Sequence, residues 1–84
     1  MSSTEETKYE IRTGADAPWT AVGPYCDPAL AAARTLAAAH GGLCYVRRNG
    51  EYLCRIENGQ PVRFSRVHQL HMPEVIEAWE AGAR

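Results

Sequence analysis

Lysine is almost missing from this chain. Lys8 stands alone beside eight arginines, and nine basic against ten acidic residues leave a formal net charge of −1. That balance creates no whole-molecule field of the kind that draws a protein to nucleic acid or to an anionic membrane. No apolar run approaches the roughly 20 residues needed to cross a bilayer, which excludes a membrane-spanning helix. There is no secretory hydrophobic region, and three cysteines cannot close into a pure disulfide framework, so a reducing, cytoplasmic setting is expected. Also missing are a phosphate-cradling Gly-rich loop, a Gly-x-Ser-x-Gly elbow, a His-Glu-x-x-His helix and a Cys-x-x-Cys knuckle. No enzyme is expected, and no catalytic residue, metal ligand or cofactor is assigned.

What is present is one stretch with the same turn chemistry twice. Leu43 to Phe64 reads LCYVRRNGEYLCRIENGQPVRF, with Asn49-Gly50 and Asn58-Gly59 each set between apolar-alternating runs. Asn-Gly between such runs is the strongest short-range hairpin signal, and two in succession describe a three-stranded antiparallel meander. Side chains alternate with a period of two, so loop length decides which residues share a face. Three-residue loops separate apolar from polar better than two-residue loops do. They place Cys44, Val46, Tyr52, Cys54, Ile56, Val62 and Phe64 inside, with Cys44 opposite Cys54. Tyr45, Arg47, Leu53, Arg55, Arg63 and Ser65 then lie outside. Two-residue loops would set Arg55 against Val62 and mix the two classes.

Before the meander, Lys8 to Thr13 alternates as a strand, Gly14 to Pro18 turns, and Trp19 to Val22 is a second short strand whose inner face is ambiguous. Residues Met1 to Thr7 are polar and expected to fray, leaving 8–84 as a single domain. Asp27-Pro28 opens a helix running from Pro28 to His40, with Asp27 as cap, and Gly41-Gly42 closes it. Ala29, Leu30, Ala33, Leu36, Ala37 and His40 share its apolar face. Arg66 to Met72 reads as a connecting segment. Glu74 to Ala81 forms a short terminal helix behind Pro73, with Val75, Ile76 and Trp79 as its stripe. The expected fold is α+β: about five antiparallel strands in the order ββαβββα, with one Ala-rich helix packed on the sheet. With 84 residues, a chain of this size buries only about 60% of its unfolded surface, so one helix layer on one sheet is the limit.

Three constellations could carry chemistry. Cys44 and Cys54 could pair or bind metal, but free cysteine is among the most buried residue types and buried thiols are inert, so they read as core; Cys26 is the more exposed thiol. His68-x-x-His71 could supply two metal ligands with Cys26, and reads instead as a solvated linker. Ser65 near His68 is the only arrangement resembling a nucleophile beside a base. The remaining feature is the outer face of the meander. Tyr45, Arg47, Leu53, Arg55 and Arg63 combine the Tyr and Arg types enriched at binding hot spots; the Val75, Ile76 and Trp79 stripe either docks on the chain's own core or offers a second contact surface, to which Trp79 is assigned. The expected partner is a protein. Single-stranded nucleic acid on Tyr45 and the arginines is the second choice, because one aromatic is fewer than a base-stacking sheet uses.

The segments Tyr9-Glu10-Ile11, Asp27-Pro28-Ala29-Leu30-Ala31-Ala32-Ala33 and Tyr52-Leu53-Cys54-Arg55-Ile56 follow the order strand, Ala-rich helix, strand with an Asn-Gly turn. In this the chain resembles small phage-encoded inhibitors, anti-CRISPR proteins among them. The resemblance lies in topology and implies a non-catalytic protein that blocks a nuclease or nucleoprotein complex by steric occlusion. Those inhibitors are often acidic where they mimic DNA, and the arginine-rich meander departs from that pattern.

Overall fold

A computed structural model describes residues 7–84. The expected fraying of residues 1–7 therefore lies, apart from Thr7, outside the described residues. Eight elements follow in chain order: β1 (Tyr9–Arg12), β2 (Thr20–Ala21), α1 (Cys26–Ala39), β3 (Leu43–Arg48), β4 (Glu51–Glu57), β5 (Gln60–Val62), α2 (Arg66–His71) and α3 (Pro73–Gly82). The five strands make one antiparallel sheet in the order β2-β1-β3-β4-β5, so the expected α+β architecture is present. Both β2 and β3 are antiparallel to β1 and lie on either side of it, so α1 crosses over β1 to connect two strands of the same direction. No helix of the described residues is long and apolar enough to cross a membrane.

The turns differ from the expectation. Asn49 and Gly50 have φ of 52° and 83°, and Asn58 and Gly59 have 54° and 81°, so each hairpin closes on two left-handed residues. Arg48 pairs with Glu51 and Glu57 with Gln60, which are two-residue loops where three-residue loops were expected. The cause is the residue pair itself. Asn tolerates a positive φ and Gly accepts it freely, and the resulting turn has the twist of the strands it joins. The mixing of faces that such loops should produce is corrected further along β4. Arg47 pairs with Tyr52 but Val46 pairs with Cys54, so Leu53 is an extra residue, a β-bulge that reverses the alternation once. Cys54 and Ile56 thereby point inward and Tyr52 outward. The second hairpin has no such correction. Arg55 pairs with Val62 and Ile56 with Pro61, which leaves Val62 on the arginine side and Pro61 buried. Cys44 accordingly faces Ile56 and not Cys54.

Helix α1 begins one residue before the expected cap. Tyr25 is the N-cap, with no side-chain bond, and Asp27 lies inside the first turn, where its charge suits the helix dipole. Pro28 is then the third helical residue. Its missing N–H is one of the four that the first turn leaves unbonded in any helix, so the early start forfeits no hydrogen bond. Gly41 and Gly42, with φ of 84° and 91°, end the helix, and His40 is exposed at its cap and not packed as expected. Ala29, Leu30, Ala33 and Ala37 are buried against Tyr9, Ile11, Cys44, Val46, Leu53, Cys54 and Ile56. Small alanines let the helix lie close to the sheet. Arg34 ties this layer together, its Nε donating to the Gly59 carbonyl at 2.7 Å and its Nη2 to that of Ala83 at 2.9 Å.

The expected linker over Arg66 to Met72 is instead helix α2. Ser65 caps it, its Oγ accepting the His68 N–H at 3.0 Å. Helix α3 starts at Pro73 as the Pro-first rule suggests and carries Trp79 into the core. Trp79 is fully buried and stands edge-on to Tyr9, with ring centroids 5.3 Å apart at 63°. Of the two readings of this stripe, the core one holds: Trp79 is a core residue and not a partner contact, because α3 turns its apolar stripe inward.

Candidate binding face

All three helices lie on the side of the sheet that carries Tyr9, Ile11, Val46 and Ile56, and no element of the described residues covers the other side. Alternation from the buried positions puts Lys8, Glu10, Arg12, Tyr45, Arg47, Tyr52, Arg55, Glu57 and Val62 on this open face. Of the residues expected here, Tyr45, Arg47, Arg55 and Arg63 are present. Leu53 is not: as the bulge residue it is fully buried, with its carbonyl accepting the Ser65 N–H at 2.8 Å.

Two aromatic residues that the sequence pattern leaves off the face join it. Tyr52 does so because of the bulge, and its hydroxyl donates to the Arg63 carbonyl at 2.6 Å. Trp19, just before β2, folds over the sheet so that the guanidinium carbons of Arg12 and Arg47 each lie 4.3 Å from its ring centroid. The signal was in the sequence as the ambiguity of the Trp19–Val22 strand. It is resolved by Thr20 pairing with Ile11 on the inner side, which sends Trp19 and Ala21 outward.

Three of these arginines are held in ion pairs. Arg47 Nε lies 2.7 Å from Glu10 Oε1, and Lys8 Nζ is 3.9 Å from the same carboxylate. Arg55 pairs with Glu57, whose Oε2 is also 3.9 Å from Arg63 Nε. Glu10 is only 9% exposed although it belongs to the open face. The Arg47 hydrogen bond holds its carboxyl below the usual range, against the opposing effect of burial. Exposed ion pairs contribute about 0.2–1 kcal/mol each and exposed cation–π contacts about 0.5–1 kcal/mol. Arg63, the most exposed of them, is the guanidinium a partner's carboxylate takes over at least cost, whereas displacing Arg47 would leave the nearly buried Glu10 carboxylate without its partner.

Arg63 has φ of 55°, a left-handed conformation for a residue with a β-carbon. Such strain clusters at functional sites. Arg63→Gly should raise stability by about 0.5–1 kcal/mol, the relief of a left-handed side chain less the extra unfolded-chain entropy of Gly. Urea unfolding of the variant checks the sign; a loss of stability would mean that the Arg63 side chain contributes more than its backbone costs.

The other constellations resolve into structure. Ser65 Oγ and His68 Nδ1 are 2.5 Å apart, but the same Oγ caps α2, and His68 Nε2 is buried without an acceptor among the described residues. Nothing there orients the imidazole for base catalysis. His71 is exposed, and no group of three potential metal ligands forms among the described residues. All three cysteines are free. Burial pushes the Cys44 thiol up to about 11 and raises those of Cys26 and Cys54 as well, so they are protonated at neutral pH. Behind the sheet, an apolar groove of about 480 Å³ lies between α1 and the β2 edge, lined by Ile11, Val22 and Leu36 among others. Its polar lining is limited to the side chains of Thr20 and Thr35.

His68 has one consequence for stability. Burial lowers its pKa from 6.5, nearby Arg48 lowers it further and Glu51 opposes them. A histidine whose folded pKa is depressed stabilises the fold in its neutral form. That contribution is complete above the unfolded pKa of 6.5 and is lost as pH falls through the lower folded value. Urea unfolding should therefore weaken on acidification from pH 6.5, and His68→Phe should flatten this dependence. An unchanged pH profile in the variant would assign the effect elsewhere.

Comparison of the chain with protein-family models, curated proteins and solved structures finds no match.

Proposed function

We propose that this chain is a non-catalytic protein-binding module of phage or mobile-element type, an inhibitor that blocks a nuclease or nucleoprotein complex by occupying one of its surfaces. The observation that carries the reading is the open sheet face, where Trp19, Tyr45 and Tyr52 alternate with Arg12, Arg47, Arg55 and Arg63. These are the residue types that dominate binding energy at interfaces. The anti-CRISPR resemblance supplies the class of target, and the free cysteines fit the reducing, cytoplasmic setting in which such a target would be met.

The test is capture of a partner from the native host. Arg47→Gln, Arg55→Gln and Arg63→Gln combined remove three charges without setting new carboxylates against Glu10 and Glu57, as charge reversal would. The wild-type chain should retain a protein that the folded triple variant loses. Equal retention by both would reject the sheet face as the binding surface.

A second reading, a single-stranded nucleic-acid binder, gains from Trp19 and Tyr52. With Tyr45 they bring the face to three aromatics, of which Trp19 already carries the Arg12 and Arg47 guanidinium groups, leaving Tyr45 and Tyr52 for base stacking. Binding to an oligonucleotide that falls steeply with salt would favour it.

A further inference from the structure

We propose that the sheet face recognises a carboxylate-bearing protein surface and that Arg12 is its anchor; this rests on the protein-binding reading and names the chemistry of its partner. The first argument is charge. Lys8, Arg12, Arg47, Arg55 and Arg63 gather on or beside the face against two carboxylates, Glu10 and Glu57, in a chain whose net charge is −1. Among the other described acids, Glu74, Glu77 and Glu80 of α3 on the helix side are all exposed. The molecule is thus polarised, with a cationic sheet face complementary to an acidic surface.

Arg12 differs from the other arginines of the face. Arg47, Arg55 and Arg63 each lie within 4 Å of a carboxylate, whereas Arg12 has none among the described residues. Its Nη1 donates to the Ala15 carbonyl at 3.3 Å, and its guanidinium lies against the Trp19 ring. The side chain is therefore already ordered while its charge is unmatched. An ordered guanidinium loses less entropy on binding, and its fork suits a carboxylate in two parallel hydrogen bonds.

A polyphosphate backbone fits less well. It carries charge at close, regular intervals and requires a continuous track of cations. Here Glu10 and Glu57 interrupt the track, and guanidinium groups already occupy the Trp19 ring on which a base would stack. Separate carboxylates on a folded surface or acidic segment can meet Arg12 and avoid both glutamates.

The experiment uses the full chain and three labelled probes: a peptide of alternating Glu and Tyr, a Gln–Tyr peptide of equal length, and an oligothymidylate. Fluorescence anisotropy at low salt should rank the Glu–Tyr peptide first. Arg12→Gln should weaken it about tenfold, the scale of one charge-assisted contact. Arg12→Lys, which keeps the charge without the fork, should fall between the two and serves if the Gln variant does not fold. Arg66→Gln, at the start of α2, should bind as wild type. Equal binding of the two peptides, no peptide binding, tighter oligothymidylate binding, or an unaffected Arg12→Gln variant would each overturn the proposal. A chain that holds its host partner through Arg47, Arg55 and Arg63 yet ignores the acidic peptide would overturn this inference alone; retention of the partner by the triple Gln variant would overturn the protein-binding reading beneath it.

Discussion

Trp79→Ala should remove about 3–5 kcal/mol of stability, the usual cost of truncating a buried indole. Trp79 is fully buried and joins α3 to β1 through its edge-on contact with Tyr9. Small domains have total stabilities of about 5–15 kcal/mol, so the loss is a large fraction of the whole. At about 4–8 °C per kcal/mol for a domain of this size, the thermal midpoint should fall by more than about 10 °C. Trp79→Phe should cost far less, because it keeps a ring against Tyr9 and removes an indole N–H that is buried without an acceptor among the described residues. Circular dichroism melts of both variants decide the matter. A Trp79→Ala chain that melts like wild type but fails to bind a partner would return Trp79 to the surface role that its helical spacing first suggested.

Leu53→Ala carries the second large effect, about 2–5 kcal/mol, for a different reason. Leu53 is the extra residue of the β4 bulge, and its side chain is fully buried with those of Cys54 and Ile56. Its carbonyl bond from Ser65 does not depend on the side chain, so the bulge and the face assignment should survive the truncation. The urea midpoint should drop with an unchanged m-value, the signature of lost packing without a change in compactness. If Leu53 faced outward, as uninterrupted alternation requires, Leu53→Ala would leave the midpoint almost where it was.

These two residues also mark where the sequence stopped being readable. Local signals gave the strands, both Asn-Gly hairpins, the Ala-rich helix and its Gly-Gly stop, because each is fixed by the residues that form it. Unbroken alternation favours three-residue loops at both Asn-Gly turns, but the Leu53 bulge breaks the alternation in β4 and both turns close on two residues. A bulge has no residue signature when the extra residue is an ordinary Leu. The two-residue turn was in fact the better local choice, since Asn and Gly both accept positive φ. Tyr45, Arg47 and Arg55 nevertheless reached the correct face, because the parity error and the bulge cancel beyond Leu53. Tyr52, between the turn and the bulge, did not benefit from that cancellation.

Other differences are tertiary. The burial of Trp79 depends on Tyr9, which lies far off in the chain and meets it only once α3 has packed on the sheet. The stacking of Arg12 and Arg47 on Trp19 likewise brings together β1, β3 and the approach to β2. Helix α2 had a local signal in Ser65, a capping residue three positions before His68, that was read only as a possible nucleophile.

The most direct test of the sheet face as the binding surface is site-specific photo-crosslinking. A benzophenone amino acid is placed at Tyr52, which is 41% exposed on that face, or at Ala38, exposed on the helix side. With the captured host partner present, binding through the sheet requires a cross-link from position 52 and none from position 38. A cross-link from position 38 alone would contradict it and move the interface to the helices.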